Sequence, residues 1–169
     1  SVFYLVAMGK MKGKYCVGDL MTNNHQTQTS EVFVSSYLLY LLAASSDAAN
    51  AQFHVIVRDN GLRVPEWRVI ACLYDQDGLM TTKLAEYALI EQSRLTRILD
   101  QMDQKDWVER RVDPQDRRRV RVYLTEMGTG LAKTLVAEAK THEAKLLSIL
   151  KDTDAARLKP ALQALLANL

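Results

Sequence analysis

The chain of 169 residues has the length of one domain with a single main core. Its residues are 48% hydrophobic and 25% charged, a composition that is typical of a globular protein and excludes a disordered chain. The formal net charge of +2 identifies no partner, so the position of the positive charge matters more than its sum. The longest apolar stretch near the start of the body, Tyr37 to Ala44, is far short of the ~20 residues that a membrane-spanning helix needs.

Two cysteines, Cys16 and Cys72, are too few for a disulfide framework, and they fit a reducing cytoplasm or a pair of inert thiols. We therefore predict a cytoplasmic protein. A signal peptide has basic residues before its apolar run. The apolar run that begins at Val2 has none before it. We expect residues 1–30 to be an N-terminal extension, either disordered or derived from cloning, with no core role for residues 1–20.

The body of the chain begins with two predicted helices. Residues Val32 to about Asn60 carry apolar side chains at helical spacing and contain no Pro or Gly, which predicts a helix. Ser45-Ser46 could bend this helix. Gly61 is suited to end this helix in a left-handed conformation. Val64-Pro65 begins the second helix, because proline is tolerated in a first turn, and Asp77-Gly78 ends it. The expected apolar face of the second helix is Trp67, Ile70, Ala71, Leu73 and Tyr74.

Two short helices and a β-hairpin follow. A helix from Lys83 to Ala88, with Thr81 or Thr82 as its N-cap, precedes a helix from about Gln92 to Lys105, which is the pattern of a helix-turn-helix. The alternating segments 107–112 and 120–124 flank a turn signal at residues 113–116 and predict a hairpin, the wing. The predicted fold is therefore mainly α with a small β-hairpin wing (α+β), a winged helix-turn-helix.

The helix-turn-helix and the wing form one block, and two more predicted helices follow it, from Glu126 to about Leu150 and from Ala155 to about Ala167. Asp152-Thr153-Asp154 is expected to cap the second of these helices. Together with the first helix they carry more apolar surface than the block can cover. We expect residues 31–62 and 126–169 to pair with a second copy as dimerisation helices around a DNA-binding region at 63–125. An intramolecular bundle is the alternative.

The helix that begins at Gln92 has the side chains that a DNA-reading helix needs. Such a helix requires hydrogen-bond donors near its N-terminal end, where base edges and phosphates lie close. The predicted helix offers them while its apolar face packs inward; a solvated helix face is the alternative. The candidate DNA contacts are Gln92, Ser93, Arg94, Thr96 and Arg97.

The hairpin turn is strongly basic. Arg117, Arg118, Arg119 and Arg121 stand within five residues, and a narrow minor groove attracts inserted arginine. Asp116 could bind and orient the Arg118 guanidinium. We add Asp116, Arg117, Arg118 and Arg119 to the candidate DNA contacts, with a solvated charged hairpin as the alternative.

From about Val64 to Gly128 the chain resembles the MarR family of bacterial regulators. The wing sequence Asp113-Pro-Gln-Asp-Arg-Arg-Arg-Val-Arg-Val-Tyr-Leu-Thr-Glu-Met-Gly128 follows the family's wing pattern, and residues 82–88 and 93–102 follow its two helices. The resemblance implies a triangular homodimer on double-stranded DNA at a palindromic operator, an Asp116–Arg118 pair aimed at the minor groove, and major-groove reading by residues 92–97. It also implies repression relieved by a small aromatic or phenolic effector. Asp106 stands where the family often has glycine, and aspartate tolerates a left-handed turn.

Candidates for the effector site are polar or aromatic groups on the helices that face the block. Arg58 or Arg68 could bind a carboxylate and Trp67 a ring. The alternative is that Trp67 and His54 are core residues and that Arg68 is a surface charge. The full candidate set is Tyr37, His54, Arg58, Trp67 and Arg68. Oxidant sensing through Cys16 or Cys72 is a less favoured alternative, because a buried Cys72 would behave as a small hydrophobe.

The sequence does not favour an enzyme. His25, His54 and His142 have no cluster of cysteines or carboxylates at metal-ligand spacing, and nothing resembles a nucleophile elbow or a phosphate loop, so we expect no metal or cofactor. A winged helix used for protein–protein contact is the second hypothesis, since fold alone does not decide function.

Overall fold

The computed structural model describes residues 33–116 and 118–169, and these form helices around a small antiparallel sheet. The predicted extension at residues 1–30 lies outside the described residues. The fold is mainly α with a β-hairpin, as the sequence predicts. In chain order the elements are α1 Phe33–Ser36, α2 Leu38–Asp59, α3 Val64–Asp75, β1 Leu79–Met80, α4 Thr81–Tyr87, α5 Gln92–Gln104, β2 Val108–Val112, β3 Val120–Leu124, α6 Glu126–Leu147 and α7 Asp152–Ala167.

The sheet has the order β1-β3-β2, and all its pairs are antiparallel. The hairpin of β2 and β3 matches the predicted wing, with Val112 opposite Val120 next to the turn. The strand β1 was not predicted, because two residues carry no periodic signal. Its pairing with β3 keeps the chain extended as far as Met80, which is the N-cap of α4. The prediction that Thr81 or Thr82 caps this helix is therefore wrong, since both lie inside α4.

The core is formed by the inward faces of α2 to α6 and by the sheet. On α5 the predicted apolar residues Leu95, Ile98, Leu99 and Met102 are all buried. On α3 the buried face contains Val69, Ile70 and Leu73, whereas the predicted Tyr74 is 41% exposed. Asp106, at the turn before β2, has a φ of +55°, so it takes the left-handed conformation that its residue type tolerates.

The first predicted helix is interrupted, but at Tyr37 and not at Ser45-Ser46. Tyr37 has an extended backbone (φ −73°, ψ 120°) between α1 and α2, and its carbonyl accepts the first hydrogen bond of α2 from the Leu41 amide at 3.0 Å. The rings of Phe33 and Tyr37 stack with centroids 4.9 Å apart across this break. No Gly or Pro marks the position, so the break could not be predicted from the sequence.

The helices at the ends of the described chain expose much apolar surface. No residue of α7 is buried, and its leucines at 158, 162 and 165 are 38–41% exposed. Leu38 and Leu41 of α2 are exposed as well. α7 begins at Asp152 and its N-cap is Lys151, so the predicted cap residues 152–154 lie in its first turn instead.

Gly128 and Gly130 provide a test of the packing of α6. A Cβ on Gly128 would lie 1.9 Å from the Trp107 carbonyl oxygen, whereas a Cβ on Gly130 would have no neighbour within 4 Å. Gly128→Ala should lower the free energy of unfolding by about 1–3 kcal/mol through overpacking. Gly130→Ala, the matched control, should raise it by roughly 0.5–1 kcal/mol through helix propensity. Urea denaturation measures both, and equal effects of the two substitutions would contradict the close approach of α6 to Trp107.

Candidate nucleic-acid interface

The N-terminal half of α5 presents polar side chains to solvent. Burial of Leu95, Ile98 and Leu99 turns the opposite face outward, and every predicted contact on this helix is exposed. Those residues are Gln92, Ser93, Arg94, Thr96 and Arg97. The arrangement provides two guanidinium groups, an amide and two hydroxyls on one helix face.

Glu91 is the N-cap of α5, a role that the sequence reasoning did not assign. Its carboxylate accepts hydrogen bonds from the Ser93 amide at 3.3 Å and from the Ser93 hydroxyl. Both bonds favour the ionised form and lower the pKa of Glu91. Glutamate is not among the residues preferred at an N-cap, so the sequence carried no signal for this role.

The turn of the wing is closed by Asp113, which is buried. Its Oδ1 accepts hydrogen bonds from the amides of Gln115 (2.8 Å) and Asp116 (3.3 Å), and its Oδ2 accepts one from Arg121 Nε at 2.6 Å. The Gln115 amide, followed by the Arg121 guanidinium, lowers the pKa of Asp113. Arg121 Nη1 also donates to the Gly78 carbonyl at 3.0 Å. Arg121 is therefore held by its own subunit, which corrects its grouping with the arginines offered to DNA.

The Asp116 carboxylate binds two neighbours in the turn. Its Oδ1 accepts a hydrogen bond from the Arg118 backbone amide at 3.0 Å, and its Oδ2 lies 3.0 Å from Arg119 Nε. The expected pairing of Asp116 with the Arg118 guanidinium is therefore wrong, because the nearer guanidinium, that of Arg119, occupies the carboxylate. Among the described residues, none accepts a hydrogen bond from the exposed Arg118 guanidinium. Arg117 lies outside the described residues.

The wing and α5 share a cleft of about 400 Å³. Gln92 of α5 lines the cleft together with Arg118 and Arg119 of the wing, and the other lining residues include Thr81 and Thr82. These two threonines were not predicted as part of the site. A neighbouring cleft of about 210 Å³ contains Gln92, Thr96 and Arg110. Ser93, Arg94 and Arg97 line neither cleft and lie on the open surface of α5.

The C-terminal end of α5 is joined to α3 by a buried carboxylate. Glu66, fully buried, accepts hydrogen bonds from the Arg63 amide (2.6 Å), from Arg63 Nη2 (2.8 Å) and from Lys105 Nζ (3.1 Å). Burial alone would raise the pKa of Glu66, but these three donors lower it below its ordinary value of 4.5. Arg63 also donates to Gln101 of α5. Contacts from α3 thus fix the far end of the candidate reading helix.

The candidate effector residues fall into separate groups. His54 is half-buried, and its pKa is lowered by burial and by the charges of Arg58 and Arg68. Trp67 packs on Phe53 with ring centroids 5.3 Å apart and lines a cleft of about 220 Å³ between α3 and α6. Tyr37 is not among the residues that line this cleft.

Cys72 is a poor candidate for oxidant chemistry. The thiol is half-buried on α3, and burial together with the nearby Asp75 raises its pKa, which disfavours the reactive thiolate. Cys16 lies outside the described residues. Within residues 33–116 and 118–169, no group of three His, Cys, Asp or Glu side chains is placed to hold a metal ion. None of the described helices is both long and apolar enough to cross a membrane.

The arrangement of α4, α5 and the β2–β3 wing defines a winged helix-turn-helix. The family model described as MarR matches residues 62–120. The chain is similar to a crystal structure of a MarR family transcriptional regulator from Silicibacter pomeroyi DSS-3, with 58% identity, a TM-score of 0.74, and coverage of 81% of this chain and 98% of that one. It therefore belongs to the MarR family of transcriptional regulators.

Two further comparisons were found, one in sequence and one in fold. The organic hydroperoxide resistance transcriptional regulator of Bacillus subtilis is 28% identical over 80% of this chain and 91% of its own length. A structure of Staphylococcus aureus MepR in complex with DNA has 23% identity and a TM-score of 0.68, and the match covers 78% of this chain and 98% of that one. The relatives are transcriptional regulators and not enzymes.

Glu66→Gln tests the anchor of α5. The substitution should lower the free energy of unfolding at neutral pH by roughly 1–3 kcal/mol, because buried charge-assisted hydrogen bonds are lost. The lowered pKa of Glu66 means that its stabilisation is present above pH 4.5 and is lost as the pH falls through the folded-state value. Denaturation across this range should therefore show the two proteins converging in acid. A difference that is constant with pH would contradict an ionised Glu66.

Proposed function

We propose that the protein is a homodimeric DNA-binding repressor that reads a palindromic operator and is released by a small aromatic or phenolic effector. The observation that supports this proposal most strongly is one cleft lined by both Gln92 of α5 and Arg118 of the wing, whose guanidinium has no hydrogen-bond acceptor among the described residues. In this proposal residues 63–125 are the DNA-binding region, and residues 31–62 and 126–169 are the dimerisation helices.

In the proposed complex α5 enters the major groove and the wing tip enters the adjacent minor groove. Arg94 and Arg97 are exposed and can form bidentate contacts with guanine or bind phosphates. Ser93 and Thr96 are placed to bind phosphates or base edges. Arg118 inserts into the minor groove, where a narrow groove concentrates negative potential. Arg119 contacts the backbone and keeps Asp116 neutralised.

Exposed apolar residues support the proposed dimer. Leu158, Leu162 and Leu165 recur at helical spacing along α7, and α7 has no buried face in the single chain. A second copy of the same helices would cover them through a two-fold interface, as in most soluble homo-oligomers. Two-fold symmetry also presents two copies of α5, which suits a palindrome.

The effector is proposed to be an aromatic acid or phenol bound on the α2–α3 side of the molecule. The charges of Arg58 and Arg68 near His54 favour a carboxylate or phenolate, and Trp67 offers a ring at the α3–α6 cleft. Tyr37, the N-cap of α2, is retained as a candidate. The site of action of the proposed regulator is the cytoplasm.

The competing function is a winged helix used for protein–protein contact. The two are separated by the salt dependence of binding to a duplex that is selected from a random-sequence library. A DNA reader releases counterions, so its affinity should fall steeply and linearly on a log–log plot as the salt concentration rises. Absence of any selectable duplex, or a flat salt response, favours the protein-contact function.

Arg118→Ala tests the wing contact. Loss of a minor-groove guanidinium should weaken binding to the selected duplex by about 1–3 kcal/mol, measured by fluorescence anisotropy. Arg111→Ala is the matched control, because this arginine lies in the same hairpin but pairs with Glu109 and stacks on Tyr123. If both substitutions weaken binding equally, the wing tip makes no specific contact.

Leu158→Glu combined with Leu162→Glu tests the dimer. Two carboxylates in an apolar interface have no partner there, so the double variant should sediment as a monomer and lose high-affinity binding to the palindrome. Gln163→Glu, which adds a charge on the polar side of α7, serves as the control and should remain dimeric. A monomeric double variant with unchanged affinity would refute the need for two half-sites.

A further inference from the structure

Arg110 of the wing strand β2 forms ion pairs with two carboxylates of α5. Its Nη1 lies 2.7 Å from Asp100 Oδ1, and its Nη2 lies 3.1 Å from Asp103 Oδ2. Asp100 and Asp103 are one helical turn apart, so the two nitrogens of one planar guanidinium bind successive turns of the helix. This contact joins α5 directly to the wing.

The pleat of the sheet gives Arg110 and Arg111 opposite directions. Val108 and Arg110 share the face of β2 that packs towards α5, because side chains alternate along a strand. Arg111 lies on the other face, with its guanidinium 4.5 Å from the centroid of the Tyr123 ring. Of these two neighbouring arginines, Arg110 links β2 to α5 and Arg111 does not.

The contribution of this link to fold stability is expected to be small. Arg110 is 33% exposed, and Asp100 and Asp103 are 50% and 44% exposed. Ion pairs this exposed contribute little to the free energy of unfolding. A rigid fork that binds two carboxylates nevertheless fixes both the distance and the orientation between the elements that carry them.

We infer that Arg110 is a positioning residue for operator recognition. Its guanidinium holds the wing at a fixed distance from α5, and at this distance the wing and α5 reach adjacent grooves of one duplex. The inference rests on the proposed function. Arg110 also lines the cleft that contains Gln92 and Thr96, so its side chain lies where the wing strand β2 faces α5. Its charge further neutralises two carboxylates that would otherwise face a polyanion.

A double-mutant cycle between Arg110 and Arg118 tests this role. Arg118→Ala should raise the Kd for the selected duplex by about tenfold or more in the wild-type background. In the Arg110→Gln background the same substitution should raise the Kd less than about threefold, because the wing no longer reaches its groove. Thermal unfolding should show that Arg110→Gln remains folded.

The double variant Asp100→Asn with Asp103→Asn separates positioning from charge. It removes two negative charges near DNA, so electrostatics alone would tighten binding and leave the Arg118 contribution intact. If Arg110 positions the wing, Arg118→Ala should raise the Kd less than about threefold in this double variant, as in the Arg110→Gln background. In the control Arg111→Gln the full contribution of Arg118 should persist.

The outcomes also separate this inference from the proposed function. If the wild-type protein binds the duplex and Arg118→Ala costs the same factor in every background, the inference about Arg110 is wrong while the proposed function stands. If the wild-type protein binds no duplex, the inference about Arg110 and the proposed function are both wrong.

Discussion

The burial of one face of α5 is the constraint on which the candidate interface depends. Leu95, Ile98, Leu99 and Met102 are at most 5% exposed, and they contact a core shared with α3, α4 and the sheet. Rotating the helix would expose these side chains and bury Arg94 or Arg97 without partners, which is costly. The apolar face therefore determines which polar residues face outward.

Polar contacts then fix the position of this helix. Glu66 connects its C-terminal end to α3 through Lys105, and Arg110 connects it to the wing. The wing itself is closed by Asp113 and Arg121. Among the described arginines of the turn, Arg119 and Arg121 pair with carboxylates of the wing, whereas no described residue accepts a hydrogen bond from the Arg118 guanidinium. A count of positive charges along the chain would have treated all of them alike.

Much of this architecture could be predicted from the sequence. The apolar period of residues 95–102 and the Asp-Pro turn at 113–114 gave the reading helix and the hairpin, and the wing motif gave the family. The break at Tyr37 and the short strand β1 could not be predicted, because neither has a local signal. The partners of Asp116 and Arg121 were assigned incorrectly or missed, since side-chain pairing in a tight turn depends on geometry that spacing does not contain. The burial of Glu66 was missed although Arg63, three residues earlier, donates two of its hydrogen bonds; the third donor, Lys105, is distant in sequence.

We propose that each subunit of a two-fold dimer binds adjacent grooves of one duplex with α5 and the wing tip. Hydroxyl-radical footprinting of the wild-type protein on the selected duplex tests this arrangement, because it reports backbone protection at each nucleotide. We expect two equivalent protected half-sites, about one helical turn or a multiple of it apart, each with protection extending across a flanking minor groove. A single unpaired footprint, or half-sites whose flanking minor grooves stay fully exposed, would contradict it.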